Sequence, residues 1–189
     1  INFFLMYGQT EASPRISVNR LDYDNPNFTS VGYVVKGGRV DIQSDDPEAG
    51  GEIWYRGKNI FGGYAETYED LANLSSIDCL KTGDLGIIGN NAELYIIGRK
   101  KRMIKINGIR FNLSVLESEL STLIGTVALV SKKDDYMTGF VEREPNASVV
   151  ARFYKKYKIK KNNFKLIILD KIPTLSNGKV DYSRLNESS

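Results

Sequence analysis

Between residues 31 and 98 the sequence is a chain of short β-branched and aromatic runs, VGYVV, RVDIQ, GEIWYRG, GDLGIIG and ELYIIG, broken by Gly37-Gly38, Gly50-Gly51 and Asn90-Asn91. Valine, isoleucine, tyrosine and tryptophan suit a pleated, half-buried surface, while glycine and asparagine adopt the backbone angles that end a strand. Strands this short and this close together predict an antiparallel sheet or small, distorted barrel. A short helix is expected only over residues 68–74. Upstream, INFFLM (1–6) has the unbroken apolar character of a fully buried strand. A chain that enters its fold inside such a strand is expected to be cut from something longer.

The texture changes after GRKKR (98–102). MIKINGIRF (103–111) predicts a hairpin on an Asn107-Gly108 turn. Ser114 and Glu117 offer a capping box before VLESELSTLI, whose apolar positions recur at helical spacing. VALVS (127–131) and TGFVE (138–142) are expected to pair, residues 148–157 to form a second amphipathic helix, and FKLIIL (164–169) a third strand. The expected class is α+β: a β-rich, barrel-like first lobe (1–99), then a small lobe (100–189) with a hairpin and a three-stranded sheet carrying helices on one face.

Composition removes several functions. With 41% hydrophobic and 26% charged residues, the 189-residue chain has globular rather than disordered character. It has no histidine, so the usual general base and the commonest zinc ligand are missing. The single Cys79 can form neither an internal disulfide nor a Cys–His dyad. No apolar stretch approaches the ~20 residues of a membrane span. The N-terminal run lacks the flanks of a signal peptide, which makes the cytoplasm the expected location. Asn-x-Ser/Thr triplets at Asn27, Asn73, Asn112, Asn146 and Asn186 then read as chance. A net charge of +3 does not call for a nucleic-acid partner, although basic residues clump at 99–102 and at Lys155, Lys156, Lys158, Lys160 and Lys161. A non-enzymatic basic module binding RNA or acidic partners is therefore the alternative to an enzyme; no aromatic–basic interleaving supports it.

The chemistry concentrates in five stretches. YGQTE (7–11) sets an aromatic ring, free amides, a hydroxyl and a carboxylate together just after a strand, groups that suit a nucleotide and its Mg²⁺. GGEIWYRGKNIFGGY (50–64), KTGDLG (81–86), IIGRKKRMIKINGIRFNLSVLESEL (96–120) and IPTLSNGKVDYSRL (172–185) follow in order. Together these resemble the later core motifs of the adenylate-forming superfamily, which includes acyl-CoA synthetases, aryl-CoA ligases, luciferases and nonribosomal-peptide adenylation domains. The resemblance runs from Tyr7 to Leu185. It implies that ATP activates a carboxylic acid to an acyl-AMP, releasing pyrophosphate, and that the acyl group then passes to coenzyme A or to the phosphopantetheine arm of a carrier protein.

Residue by residue, the resemblance implies that Tyr7, beside Gly8, stacks on adenine, that Thr10 contacts the α-phosphate, and that Glu11 binds Mg²⁺. Asp84 would, by the resemblance, accept hydrogen bonds from both ribose hydroxyls, a task suited to two carboxylate oxygens. Arg99 would likewise reach the ribose or phosphate. Lys101 would mark the hinge between half-reactions, where many members of the family carry aspartate. By the same resemblance, Lys105 and Gly108 would lie on the hairpin used in thioester formation, and Lys179 would be the catalytic lysine that bridges the attacking carboxylate and the phosphate. Nothing matches the family's upstream phosphate loop, and GxxxxGK[ST] fails at Gly57-Lys58, because residue 52 is Glu and residue 59 is Asn. The resemblance therefore implies a C-terminal part of such an enzyme, inactive alone.

Overall fold

A computed structural model describes residues 2–22, 27–44, 50–74 and 76–188. The chain divides into two units, Ile1–Lys100 and Lys101–Ser189.

In the first unit, β1 (Phe3–Tyr7), β2 (Ser17–Leu21) and β3 (Tyr33–Val34) form an antiparallel sheet in that order. A four-stranded antiparallel meander follows: β4 (Arg39–Gln43), β5 (Gly51–Arg56), β6 (Leu80–Ile88) and β7 (Leu94–Arg99). The two sheets are tied at a bridge where Val31 N–H donates to the Leu94 carbonyl and Leu94 N–H to the Gly32 carbonyl, both at 2.8 Å. They stay open; no closed barrel forms among the described residues. Strand β5 alternates as a half-buried strand should, with Ile53 and Tyr55 inside. Ala12, Ile16, Tyr55 and Leu80 make one core cluster. Helix α1 (Tyr68–Ala72) begins with a Thr67/Asp70 capping box.

The opening strand corrects one expectation. Strand β1 forms, but Phe3 is 62% exposed, and Phe4 and Met6 are exposed as well. Among the described residues β1 lies at the edge of its sheet, paired with β2, and no layer packs over the faces that carry these side chains. Strand β2 was not foreseen. Its sequence SVNRL mixes polar and apolar residues, because buried Ser17 and Asn19 satisfy backbone carbonyls instead of packing as hydrophobes.

In the second unit, β8 (Met103–Ile106) and β9 (Ile109–Asn112) form the expected hairpin, with Asn107 at φ 49° and Gly108 at φ 82°. Positive φ at both turn residues is the form whose twist matches the flanking strands. Helix α2 (Leu113–Ile124) starts earlier than expected. Asn112, not Ser114, is its N-cap, accepting from Ser114 N–H at 2.9 Å, because this start lets Leu113 turn into the core. Glu117 is thereby released for another task. Strands β10 (Val127–Lys133) and β11 (Tyr136–Val141) pair antiparallel, and β12 (Phe164–Ile168) joins β11 in parallel after helix α3 (Ala147–Tyr157).

Helices lie on both faces of this sheet, not one. Val127 and Leu129 point to a core shared with Leu116 and Leu120 of α2 and Phe153 of α3. Ala128 and Val130 point the other way, to Phe140, Ile172 and Leu185 of helix α4 (Tyr182–Glu187). Burial on both faces is why VALV carries no polar residue. Two of the Asn-x-Ser triplets are cap positions: Asn112 serves α2 and Asn146 accepts from Ser148 N–H to begin α3. None of the described helices is long and apolar enough to cross a membrane.

Candidate active site

Six expected site residues fall in the first unit. Tyr7 ends β1, and its hydroxyl donates to Asp84 Oδ2 at 2.7 Å. Asp84 sits within β6, only 4% exposed, and its other oxygen receives Arg99 Nε at 2.6 Å. The Arg99 end is open to solvent, with its side chain 61% exposed. This pairing depends on a bulge. Leu85 opposes Gly98 but Gly86 opposes Ile96, so one extra residue on β7 brings Arg99 directly across from Asp84. Without the shift, Asp84 would face a glycine.

Thr82 Oγ1 accepts from the Asp84 N–H at 3.1 Å and donates to the Ile53 carbonyl at 2.8 Å, fixing the strand beneath the carboxylate. Burial pushes the Tyr7 phenol far above its ordinary range, with the neighbouring Asp84 adding to the rise, so Tyr7 remains a donor. Each Asp84 oxygen holds one donor here. A carboxylate offers about four acceptor sites in all, which leaves capacity for the two ribose hydroxyls assigned to it by resemblance.

Thr10 and Glu11 lie on the 3-10 turn Thr10–Ala12, reached through Gly8. The loop is latched by Asn59, whose Nδ2 donates to the carbonyls of Ala12 (2.5 Å) and Arg15 (2.9 Å) while its Oδ1 accepts from Tyr55. The Glu11 carboxylate accepts a hydrogen bond from Tyr64, and Phe61 N–H donates to the Glu11 carbonyl at 2.9 Å. The Tyr64 hydroxyl, with a smaller contribution from the Arg99 charge, holds the Glu11 carboxyl below the usual range, so it stays ionised. Among the described residues no three acidic or cysteine side chains converge on a metal site. A magnesium ion would fit here only as Mg²⁺ often binds, through one carboxylate and the phosphate oxygens of a nucleotide.

Asn59 and Tyr64 are missing from the expected site residues, although both lie inside GGEIWYRGKNIFGGY. The resemblance of that stretch to a family motif does not say which of its side chains turn back to the 8–15 loop.

The remaining expected residues belong to the second unit. Lys105 is exposed on β8, with its N–H bound to Asp134 Oδ1 at 3.0 Å and its carbonyl accepting from Asp135 N–H at 2.7 Å. Gly108 closes that hairpin, and a Cβ there would meet no atom within 4 Å. Lys179 occupies a separate exposed hairpin closed by a Thr174–Val180 bridge, where Leu175 N–H donates to the Lys179 carbonyl at 2.7 Å and Lys179 N–H to Asn177 Oδ1 at 3.1 Å. Lys101 lies in the 3-10 turn Lys100–Arg102. Its neighbours in the basic run are not a free patch: Lys100 pairs with Glu52 at 2.9 Å and Arg102 with Glu117 at 2.8 Å. Arg102 is largely buried, its charge neutralised by Glu117 fifteen residues on in the sequence.

No family model matches the chain. Among curated proteins it is similar to 4-coumarate–CoA ligase 3 of Oryza sativa subsp. japonica, 31% identical over 197 residues, covering 92% of this chain and 35% of that enzyme. It is also 29% identical over 198 residues to the non-ribosomal peptide synthetase CmlP of Streptomyces venezuelae, covering 97% of this chain and 20% of that protein. The chain thus spans about a third of the length of the ligase and about a fifth of the synthetase. Among solved structures, o-succinylbenzoate CoA synthetase (MenE) from Bacillus subtilis in complex with its acyl-adenylate intermediate matches with a TM-score of 0.72 at 22% identity, over 98% of this chain and 41% of that one. The same enzyme in complex with ATP and magnesium ion matches with a TM-score of 0.71 at 23% identity, over 98% of this chain and 42% of that one.

Proposed function

The chain belongs to the adenylate-forming superfamily, and we propose that it corresponds to the C-terminal portion of an ATP-dependent ligase that joins a carboxylic acid to a thiol, inactive by itself. The observation that carries this reading is the Tyr7–Asp84–Arg99 triad of hydrogen-bonded side chains beside the Thr10–Glu11 turn. It brings together a buried carboxylate in β6, an aromatic ring at the end of β1, an exposed guanidinium at the end of β7 and a second carboxylate on the adjoining turn, a set that suits a nucleotide with its metal.

In the first half-reaction a carboxylate oxygen attacks the α-phosphorus of ATP and the bond to pyrophosphate breaks. Two anions must be brought together, so the residues that matter are those that hold or neutralise charge. Asp84 takes the ribose hydroxyls, Tyr7 presents its ring to the adenine, Arg99 meets the ribose or phosphate, and Thr10 donates to the α-phosphate. Glu11 would hold Mg²⁺, whose contribution is to offset phosphate charge. Lys179 supplies a cation on an exposed turn, free of a partner carboxylate in its own hairpin. In the second half-reaction the sulfur of the thiol attacks the acyl carbonyl carbon and AMP leaves. Lys105 and Gly108 belong to this step, and Lys101 to the change between the two. The acceptor is coenzyme A, as in the names of the ligases matched, or a carrier-protein phosphopantetheine, as in the peptide synthetases.

The test is ATP–pyrophosphate exchange by the intact protein that carries this chain, across a panel of aromatic, fatty and amino acids. Acid-dependent exchange that disappears in Lys179→Ala supports the reading. Absence of exchange with every acid, or full exchange in Lys179→Ala, refutes it.

A further inference from the structure

The hairpin that bears Lys179 is exposed from residue 174 to residue 179, so its geometry is set at its stem. The incoming leg is held where Ile172 N–H donates to Glu142 Oε1 at 3.0 Å. The outgoing leg returns Asp181 N–H to the Pro173 carbonyl at 2.9 Å and runs into α4, where the Asp181 side chain accepts from Arg184 N–H at 3.1 Å. The next residue, Tyr182, is the anchor. Its hydroxyl donates to Glu117 Oε1 at 2.5 Å, and its ring lies 4.2 Å from the guanidinium carbon of Arg102.

Arg102 binds the rest of the cluster together. It donates Nη2 to Glu117 Oε2 at 2.8 Å, Nη1 to the Leu129 carbonyl at 2.6 Å and Nε to Ser114 Oγ at 3.2 Å. Leu129 N–H adds a third donor to the Glu117 carboxylate, at 2.7 Å. Arg102 and Glu117 side chains are 15% and 16% exposed, so this is a shielded pair and not a surface ion pair. Burial, then the Glu117 acceptor, pushes the Tyr182 phenol up to about 12, which keeps its proton on the bond to Glu117. One guanidinium thus joins the segment following Lys101, helix α2, strand β10 and the first residue of α4, all within the second unit.

We propose that Arg102 is a positioning residue: through the Tyr182 ring and Glu117 it fixes the outgoing leg of the 173–181 hairpin, and so sets where Lys179 stands in the acid-activating step. This rests on the reading of Lys179 given above. Arginine is suited to the task because its planar fork can bond a carboxylate and a carbonyl while its face stacks on a ring; a lysine ammonium offers a charge but no such plane.

Arg102→Ala would leave the shielded Glu117 carboxylate without its cation and can fail to fold for that reason alone. The variants to use are Arg102→Lys, which keeps a cation, and Tyr182→Phe, which keeps the ring and loses the bond to Glu117. Two readouts are taken on the intact protein: amide hydrogen exchange of residues 173–181, and kcat and KM for ATP in ATP–pyrophosphate exchange. Arg102→Lys is expected to speed exchange of the Leu175, Gly178 and Asp181 amides about tenfold while β10, β11 and β12 keep their protection. Its kcat should fall ~10- to 10²-fold with KM for ATP within about twofold, the pattern of a displaced group rather than a lost binding contact. Tyr182→Phe should move both readouts the same way by less. Unchanged hairpin protection, or an equal loss of protection over the whole unit, overturns the proposal. Lys179→Ala run alongside separates the two failures: full activity there overturns the reading of Lys179, whereas hairpin protection judges Arg102 independently of it.

Discussion

A methyl group at position 8 has nowhere to go. A Cβ on Gly8 would lie 1.8 Å from the Pro14 carbonyl oxygen, 2.8 Å from the Pro14 carbonyl carbon and 3.0 Å from the Arg15 Cα. All three are backbone atoms, so no rotamer change relieves the clash. Restoring ordinary contact at about 3.5 Å moves the loop by more than about 1.5 Å. That loop is pinned: Ile16 N–H donates to the Tyr7 carbonyl at 2.9 Å, and the Asn59 amide holds the carbonyls of Ala12 and Arg15. Losing one or two of these bonds at about 1 kcal/mol each, on top of ~1–3 kcal/mol for overpacking, puts the cost of Gly8→Ala at ~2–4 kcal/mol. For a unit of this size the melting temperature should fall by about 10 °C or more. The displaced loop carries Thr10 and Glu11, so kcat/KM for ATP in pyrophosphate exchange should fall ~10²-fold as well. Calorimetry and exchange kinetics on the same preparation test both parts. A Gly8→Ala protein melting within about 1 °C of the parent would refute the argument, since it would mean that the turn does not approach Pro14 as closely as this.

Lys179→Ala should reduce exchange ~10²- to 10³-fold without changing the melting temperature, because the side chain is exposed; comparable loss of stability would point to a structural role. Asp84→Asn keeps the shape but turns one acceptor towards Arg99 or Tyr7 into a donor; KM for ATP should rise ~10- to 10²-fold, and the variant should no longer distinguish ATP from its 2′- and 3′-deoxy analogues. Unaltered discrimination would remove Asp84 from ribose binding. Tyr64→Phe removes the donor that holds the Glu11 carboxyl low, so Glu11 will protonate at a higher pH and the acid limb of the Mg²⁺-dependent rate should move upward; a limb that stays put argues that Glu11 is not the group seen. Gly108→Val forces a β-branched residue to φ 82°, which should cost ~1–2 kcal/mol and depress thioester formation more than adenylation; equal losses in the two steps would contradict the assignment of this turn.

Local rules carried the reading a long way wherever one residue type dictates one backbone geometry. Asn107-Gly108 is such a case, and so are the strands whose alternation exposes one face. They fell short where a side chain's use is decided at long range. Ser114 and Glu117 have the spacing of a capping box, yet Asn112 caps the helix and Glu117 turns to Arg102 and Tyr182. Helix α4 is six residues long, too short for any periodicity, and exists because Asp181 caps it and Leu185 fills the second face of the sheet. In the site, KTGDLG and IIGR were visible as neighbours in chemistry, but the meeting of Asp84 with Arg99 depends on a bulge in β7 that no spacing in IIGR reveals. Asn59 shows the same limit: an asparagine in a glycine-rich stretch looks like a turn residue until the carbonyls it serves are known.

The two-sided sheet of the second unit has a consequence for how this protein is made. Strand β11 receives its parallel partner only after α3 has been synthesised, and Ala128, Val130 and Phe140 stay uncovered until Ile172 and Leu185 arrive. A nascent chain on the ribosome therefore carries a greasy, strand-edged intermediate through most of this unit's translation, a species that chaperones bind and that aggregates at high expression. Slower elongation or lower growth temperature should raise the yield of folded protein, and a stop codon placed before Tyr182 should send it to inclusion bodies.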